Sequence, residues 1–199
     1  MAASTVAPTK AKAPCFASSE TVTLESGAAK PLSEVALGDR ILTANMDGSL
    51  KGFSEVIATP HSGDASKALF ARIITQGGKD IKMTPSHLVL AGDCNANLSL
   101  VGAGSVEAGQ CIQTVDGQDQ VLSNTNTESV GMRSVVTKAG DLVVINGVVA
   151  SPFAVNHWLA DAWYTIHRGA FALFPSLLAN KLFTATSESF GDLAIEASL

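Results

Sequence analysis

The sequence is poor in charge. Only 16% of its 199 residues are charged, the formal net charge is −5, and 46% of the residues are apolar. Disordered chains, coiled coils and nucleic-acid-binding surfaces usually carry more charge than this. We therefore expect a soluble, mildly acidic globular protein with no nucleic acid partner. The length suits one domain with a small appendage.

Cysteine is also scarce, and no cysteines have the spacing of a metal site. Cys15, Cys94 and Cys111 form no CxxC pair, and the four histidines lie far from them in sequence. We therefore assign no metal and no cofactor. A disulfide between Cys94 and Cys111 is one alternative, but we favour two ordinary, half-buried thiols.

The first residues lack the apolar stretch of a signal peptide. MAASTVAPTKAKAP contains Lys10 and Lys12 but no apolar core. The chain therefore either has no signal peptide or is a fragment that has lost one. We expect residues 1–14 to be a disordered segment.

Aromatic residues are rare before residue 150 and concentrated after it. Eight of the eleven lie in and around the segment AVNHWLADAWYTIHRGAFALFPSLLANKLF. We expect one or two helices there, broken at Pro175. Arg168, Pro175 and Lys181 make the apolar run too interrupted to span a membrane. The segment would lie on a membrane or over an apolar ligand, or it would simply cap the core.

The residues before 150 have the pattern of a β protein. Short β-branched runs alternate with turn pairs, which are Asp47-Gly48, Gly77-Gly78, Asp116-Gly117 and Ala139-Gly140. Each pair lies between alternating apolar stretches, such as ALFARIIT and DIKM, or RSVVT and DLVVI, which is the hairpin signature. We therefore predict an all-β domain with a hairpin at each of these turns.

A weak internal repeat supports the β prediction. VALGDRILTANMDG at 35–48 and VEAGQCIQTVDG at 106–117 share Val, Gly, Ile, Thr and Asp-Gly in order. ITQGGKDI at 74–81 resembles VTKAGDLV at 136–143 in the same way. We predict two related β-lobes of about sixty to seventy residues each.

Four further stretches identify a family. PCF at 14–16, LESGAAKPLSEVALGDRIL at 24–42, MTPSHLVLA at 83–91 and DLVVINGVVASPFAV at 141–155 together resemble the autoprocessing domain of Hedgehog proteins, a member of the Hint family shared with inteins. The resemblance extends from Cys15 to about Phe174. It implies an all-β, horseshoe-shaped Hint fold with pseudo-two-fold duplicated lobes over residues 15–155. A helical tail over residues 156–199 would follow and resembles a sterol-recognition region.

The resemblance also implies the chemistry, which is an N-to-S acyl shift. The thiol of Cys15 would attack the carbonyl of Pro14, and water, a thiol or a hydroxyl lipid such as a sterol would cleave the resulting thioester. The protein would thus act once, as a cysteine autoprocessing enzyme whose substrate is its own N-terminal segment. The resemblance places it in the secretory pathway or outside the cell, and we expect a monomer.

Three side chains have the properties that this chemistry needs. Cys15 supplies sulfur, the best nucleophile among side chains once deprotonated. His87 would protonate the departing nitrogen, because an amine leaves poorly without a proton and imidazole titrates near neutrality. Thr84 would orient the amide or the imidazole through its hydroxyl. We expect none of these side chains to fill the core.

Several positions depart from the family pattern. Pro14 replaces a glycine, and its crowded carbonyl and fixed φ would slow the attack. Pro152 stands where the family has a second cysteine. The acidic residue that activates cholesterol in Hedgehog proteins has its nearest counterpart in His61, which we assign as a base toward the hydroxyl. Asp64 is the alternative if the loop has a different register.

Two other functions are alternatives to self-cleavage. One is a Hint-fold remnant that no longer cleaves and serves as a binding module. The other is a trans-acting cysteine hydrolase that uses Cys15 and His87, although it lacks the local signature of the known cysteine protease families. Protein splicing fits less well, because Asn146 has neither the preceding histidine nor the following nucleophile found in inteins. We interpret Asn146 as a structural residue.

Overall fold

The computed structural model describes residues 15–60, 65–140 and 142–153. In these residues the chain forms strands and two 3-10 helices but no α-helix, so the all-β prediction is confirmed. Nor does any helix within these ranges have the length and apolarity to cross a membrane. The predicted disordered segment, residues 1–14, and the whole predicted helical tail, residues 156–199, lie outside the described residues.

The strands number fifteen and form one connected sheet. They are β1 (Phe16–Ala17), β2 (Thr21–Thr23), β3 (Ala29–Pro31), β4 (Arg40–Ala44), β5 (Leu50–Ala58), β6 (Lys67–Thr75), β7 (Asp80–Met83), β8 (Leu88–Gly92), β9 (Ser99–Gly102), β10 (Cys111–Thr114), β11 (Gly117–Val130), β12 (Met132–Arg133), β13 (Val136–Thr137), β14 (Leu142–Ile145) and β15 (Val148–Ala150). The 3-10 helices η1 (Leu32–Glu34) and η2 (Ala103–Ser105) precede β4 and β10.

The sheet follows the order β12-β1-β7-β6-β11-β10-β8-β15-β14-β4-β5-β13, with β2, β3 and β9 attached to its side. Its centre contains β14 and β15, in which every side chain is buried. These strands read LVVI and VVA, and such unbroken apolar runs are typical of strands covered on both faces. The strand that follows Cys15, β1, lies next to one end of this order.

The internal repeat is confirmed by matching backbone hydrogen bonds. Gly38 in the first repeat and Gly109 in the second have positive φ angles of 89° and 94°. Each lies between its 3-10 helix and the next strand, at a position that favours glycine. Each also donates its N–H at 2.9 Å to the second strand of the hairpin that follows, Gly38 to Val56 O in β5 and Gly109 to Val121 O in β11. The two segments therefore take the same backbone path.

The two lobes exchange strands. β5 of the first lobe pairs with β13, and β11 of the second lobe pairs with β6. All of these pairings are antiparallel. Each lobe is thus completed by a strand from the other half of the chain, and this exchange places residues distant in sequence on neighbouring strands.

Three of the four predicted hairpins are confirmed, and the fourth is wrong. Asp47-Gly48, Gly77-Gly78 and Asp116-Gly117 lie at the junctions of β4 with β5, β6 with β7 and β10 with β11. Ala139-Gly140 is a turn, but β13 pairs with β5 and β14 pairs with β4. That turn therefore carries the chain across the β4–β5 hairpin. A turn signal predicts a change of direction, whereas the pairing depends on distant strands.

Asn146-Gly147 forms a hairpin that the sequence analysis missed. It joins β14 to β15, with Ile145 paired to Val148. Asn146 and Gly147 have φ angles of 49° and 77°. Asn-Gly is the favoured pair for a two-residue turn with two positive φ angles.

Cys94 and Cys111 form a disulfide, which corrects the expectation of two separate thiols. Their Cα atoms are 4.9 Å apart. The pairing follows from the register of β8 and β10, in which Cys111 lies opposite Gly92, two residues before Cys94. Their separation of 17 residues in sequence gives no sign of this proximity.

Candidate active site

Cys15 immediately precedes β1, which lies between β7 and β12. Its N–H donates to Thr84 Oγ1 at 3.1 Å. Its carbonyl accepts the N–H of Thr84 at 2.8 Å. Thr84 therefore holds both backbone groups of Cys15, and its hydroxyl contacts the nitrogen of the bond that joins Pro14 to Cys15.

A tight turn brings His87 to the same place. The N–H of His87 donates to Thr84 O at 2.9 Å, so Thr84 and His87 are the first and last residues of a β-turn. Pro85 occupies the second position, where its fixed φ favours the turn. η2 supports this turn from the side, because Ala103 N–H donates to His87 O and Gly104 N–H donates to Pro85 O, both at 2.8 Å.

The imidazole of His87 has one engaged nitrogen and one that points into the core. Nε2 lies 2.6 Å from Ser151 O. A carbonyl only accepts, so Nε2 must carry the proton and Nδ1 must present a lone pair. Among the described residues, buried Nδ1 has no hydrogen-bond partner. The ring packs against Phe16, with centroids 4.0 Å apart.

The surroundings keep this histidine neutral. Burial lowers the pKa of His87 to about 4, although its hydrogen bond to the Ser151 carbonyl acts in the opposite direction. Loss of hydration destabilises the imidazolium, and the hydrogen bond to one backbone carbonyl stabilises it by a smaller amount. At neutral pH His87 is therefore a base with a free lone pair on Nδ1.

The expectation that the site side chains stay out of the core is wrong. Cys15, Thr84 and His87 are each 0% exposed. β1 has neighbours on both sides, and the site is built into the apolar cluster that contains Phe16. The predicted proximity of Cys15, Thr84 and His87 nevertheless agrees with the geometry.

Three other predicted residues lie outside the described residues. They are Pro14, His61 and Asp64. The residue before His61 is described: the carbonyl of Pro60 accepts the N–H of Ser134 at 3.4 Å.

Two serines belong to the site and were missed by sequence analysis. Ser151 takes part through its carbonyl, which accepts from His87. Ser134 donates its hydroxyl to the carbonyl of buried Pro152 at 2.9 Å. No motif signals either residue: the Ser151 carbonyl is the same for every residue type, and the partner of the Ser134 hydroxyl is a backbone carbonyl 18 residues away. Within the described ranges, no group of His, Cys, Asp and Glu side chains could hold a metal ion.

A second polar group, here called the Asn146 cluster, is partly buried and comprises Glu20, Thr21, Asp80, Lys82 and Asn146, of which Glu20 is buried. The Asn146 side chain accepts from the N–H and hydroxyl of Thr21 at 2.7 and 2.9 Å, and it donates to Asp80 O at 2.8 Å and to the Glu20 carboxylate. Lys82 Nζ lies 3.3 Å from the same carboxylate. These contacts agree with a structural role for Asn146. Burial raises the pKa of Glu20 even though Lys82 opposes the shift.

Comparison with known proteins agrees with the resemblance seen in the sequence. A family model described as Hint module matches residues 2–184. The chain is 28% identical to Warthog protein 6 of Caenorhabditis elegans over 190 residues, which cover 91% of this chain and 31% of that protein. It is 34% identical to Protein hedgehog of Drosophila persimilis over 157 residues, which cover 72% of this chain and 32% of that protein. The chain thus spans about a third of the length of these relatives.

Solved intein structures have a similar fold. A DnaB intein from Synechocystis sp. PCC 6803 superposes with a TM-score of 0.58 at 16% identity, covering 69% of this chain and 97% of the intein. The TvoVMA intein superposes with a TM-score of 0.55 at 16% identity, covering 70% of this chain and 98% of the intein. At these identities the likeness concerns the fold alone.

Proposed function

This chain belongs to the Hint family, and from that premise we propose that it cleaves its own polypeptide between Pro14 and Cys15 through a thioester at Cys15. The observation that most supports this proposal is the hold of Thr84 on the Cys15 nitrogen, at 3.1 Å, beside a buried histidine. That nitrogen belongs to the bond that must break. A hydroxyl and an imidazole at a scissile amide are the groups that an acyl shift requires.

In the first step the sulfur of Cys15 attacks the carbonyl carbon of Pro14. The new carbon–sulfur bond replaces the carbon–nitrogen bond, so the acyl group moves from the nitrogen of Cys15 to its sulfur. The thiol proton ends on that nitrogen, which becomes a free amine. The step needs no oxidant, reductant or further reactant.

His87 carries the proton between the two atoms. With a pKa of about 4 it is neutral at neutral pH, so Nδ1 first takes the proton of the thiol. The imidazolium formed in this dry site is a stronger acid than one in water, which favours proton transfer to the departing nitrogen. The predicted role of His87 as an acid therefore follows a first role as a base.

In the second step water, a thiol or a hydroxyl lipid such as a sterol cleaves the thioester. A hydroxyl attacks slowly unless a base removes its proton, and His61 is our candidate for that base, with Asp64 as the alternative. The resemblance of residues 156–199 to a sterol-recognition region supports a sterol as the acceptor.

The test is a fusion of an N-terminal partner protein to the full chain, treated with hydroxylamine at neutral pH and followed by intact mass. Hydroxylamine cleaves thioesters far faster than amides, so we expect a fragment that begins at Cys15. It is preferable to dithiothreitol because it does not reduce the disulfide between Cys94 and Cys111. Cys15→Ala is the control and should release nothing.

Two additions sharpen this test. Pro14→Gly removes the crowded acyl carbon and should accelerate release. Added sterol should yield an N-terminal fragment heavier than the hydrolysed one by the mass of the sterol less one water. If neither the wild-type chain nor Pro14→Gly releases its partner, the binding-module alternative is correct; Pro152, in place of the family's second thiol, is the feature that favours it.

A further inference from the structure

We propose that Ser134 is a positioning residue of this site, which acts through the carbonyl of Pro152 on the segment that orients His87. The inference rests on the proposed function, because it concerns the same acyl shift. It assigns a role to a residue that no sequence motif marks.

The strand register places Ser134 beside the nucleophile. Phe16 pairs with Arg133 in the antiparallel ladder of β1 and β12, so the next pair is Cys15 with Ser134. Both backbone groups of Cys15 are bonded on the opposite side, to Thr84. The pair is therefore of the kind without backbone hydrogen bonds, in which the Cα atoms approach to about 4.5 Å. Ser134 is 3% exposed.

The hydroxyl of Ser134 and the imidazole of His87 bind successive carbonyls of one short segment. Ser134 Oγ donates to Pro152 O at 2.9 Å, and His87 Nε2 donates to Ser151 O at 2.6 Å. Three torsions separate these carbonyls. The peptide bond is planar and the ring of Pro152 fixes φ, so only ψ of Pro152 can vary. A hydrogen bond that holds Pro152 O therefore also limits the direction of Ser151 O.

The direction of Ser151 O determines which nitrogen of His87 is available. While that carbonyl accepts from Nε2, the lone pair lies on Nδ1. If the carbonyl turns away, nothing in the described residues selects this tautomer. Ser134 thus links the strand beside Cys15 to the acceptor that orients His87, and Pro152 is the rigid connection between them.

The test compares Ser134→Thr, which keeps a hydroxyl, with Ser134→Val. Valine has the same shape as threonine but no hydroxyl. In the fusion described above, Ser134→Thr should release its partner near the wild-type rate. Ser134→Val should be about tenfold slower, the factor that one hydrogen bond is worth. The second readout is the 15N NMR signal of His87 in the Cys15→Ala background. The protected Nε2 proton should persist in Ser134→Thr and be lost or shifted in Ser134→Val.

Thr43→Val is the matched control. The Thr43 hydroxyl is also buried and donates to a backbone carbonyl, Gly52 O, at 2.9 Å, but on β4 and away from the site. Loss of the Thr43 hydroxyl should lower the free energy of unfolding about as much as loss of the Ser134 hydroxyl does. The release rate and the His87 signal should stay unchanged.

Each outcome decides the proposal. Equal release rates for Ser134→Thr and Ser134→Val, or an unchanged His87 signal in Ser134→Val, would overturn it. If Ser134→Val does not fold by circular dichroism, Ser134→Ala takes its place under the same criteria. If even the wild-type fusion releases nothing, the proposed self-cleavage fails, and the His87 signal alone decides whether Ser134 positions this side chain.

Discussion

The Cys15 site includes the residue just before β1 and the Asn146 cluster includes Glu20 and Thr21 just after it, and the two clusters differ in how completely their polar atoms are paired. In the Asn146 cluster each functional group of the Asn146 side chain has partners in the described structure. In the Cys15 site Nδ1 of His87 has none among the described residues. One cluster is charged and fully bonded, whereas the other is neutral, dry and incomplete.

Under the proposed function, this difference corresponds to a chemical role for the Cys15 site and a structural role for the Asn146 cluster. A buried polar atom without a partner costs about 1–3 kcal/mol, so a fold keeps one only where something else requires it. A bonded network such as that of Asn146 instead joins the chain after β1 to β7 and the β14–β15 turn. Substitutions should therefore change the rate of cleavage at the first cluster and the stability of the fold at the second.

The largest effect on the rate is expected from His87→Ala. It removes the group that carries the proton, so formation of the thioester should fall by about a hundredfold or more. The measurement is the rate of hydroxylamine-induced release for the folded protein, with folding checked by circular dichroism because the side chain is fully buried. A wild-type rate in His87→Ala, together with a slow His61→Ala, would mean that His61 is the proton carrier.

Asn146→Ala should have the converse effect. It removes the hydrogen bonds to buried Glu20 and to partly buried Thr21 and Asp80, so the free energy of unfolding should fall by about 2 kcal/mol. The folded fraction should cleave at the wild-type rate. Urea denaturation gives the first quantity, and Asn45→Ala is the control, because the Asn45 side chain donates to Ser49 Oγ at an exposed turn. A cleavage defect without loss of stability in Asn146→Ala would erase the distinction between the clusters.

Thr84→Ala should have an intermediate effect on the rate. It removes the hydroxyl that accepts from the Cys15 nitrogen, and one such bond is worth about tenfold. Thr114→Ala is the matched control, since its buried hydroxyl donates to Gly117 O at 2.8 Å far from the site. Equal release rates for the two variants would show that Thr84 only supports the turn.

The smallest effect concerns the pH dependence of stability, in which the two clusters should act in opposite directions. The pKa of His87 falls from its ordinary 6.5 to about 4 on folding, so the unfolded chain binds more protons between these values. Stability from this group is therefore lost as the pH falls through that window. The pKa of Glu20 is raised above 4.5, so its protonation favours the folded state as the pH falls.

Urea denaturation from neutral pH down to about pH 4 can separate these contributions. Relative to the wild-type protein, His87→Gln should lose less stability on acidification, and Glu20→Gln should lose more. The same pH dependence in both variants would mean that the two clusters do not differ in protonation.

Turn signals in the sequence predicted the structure correctly where the paired strands are adjacent in the chain. Asp47-Gly48 and Gly77-Gly78 each predict a hairpin between adjacent strands, and Thr84 and His87 are joined by a turn that Pro85 favours. Ala139-Gly140 has the same kind of signal but gives a crossover, because β13 and β14 find partners in β5 and β4. The resemblance to the Hint family supplied what no local signal could, namely that Cys15 meets this turn.

The sequence by itself determined the all-β class and the repeat, and its family resemblance predicted that Cys15, Thr84 and His87 lie close together, as the structure shows. Only the tertiary structure decided that these side chains are buried, that Cys94 pairs with Cys111, and that the Ser151 carbonyl selects the tautomer of His87. A turn, or a strand with alternating apolar residues, depends on residues that are adjacent in the chain and can therefore be read from the sequence. Burial and the acceptance of a hydrogen bond by a backbone carbonyl depend on which distant strands pair, and every residue carries the same carbonyl.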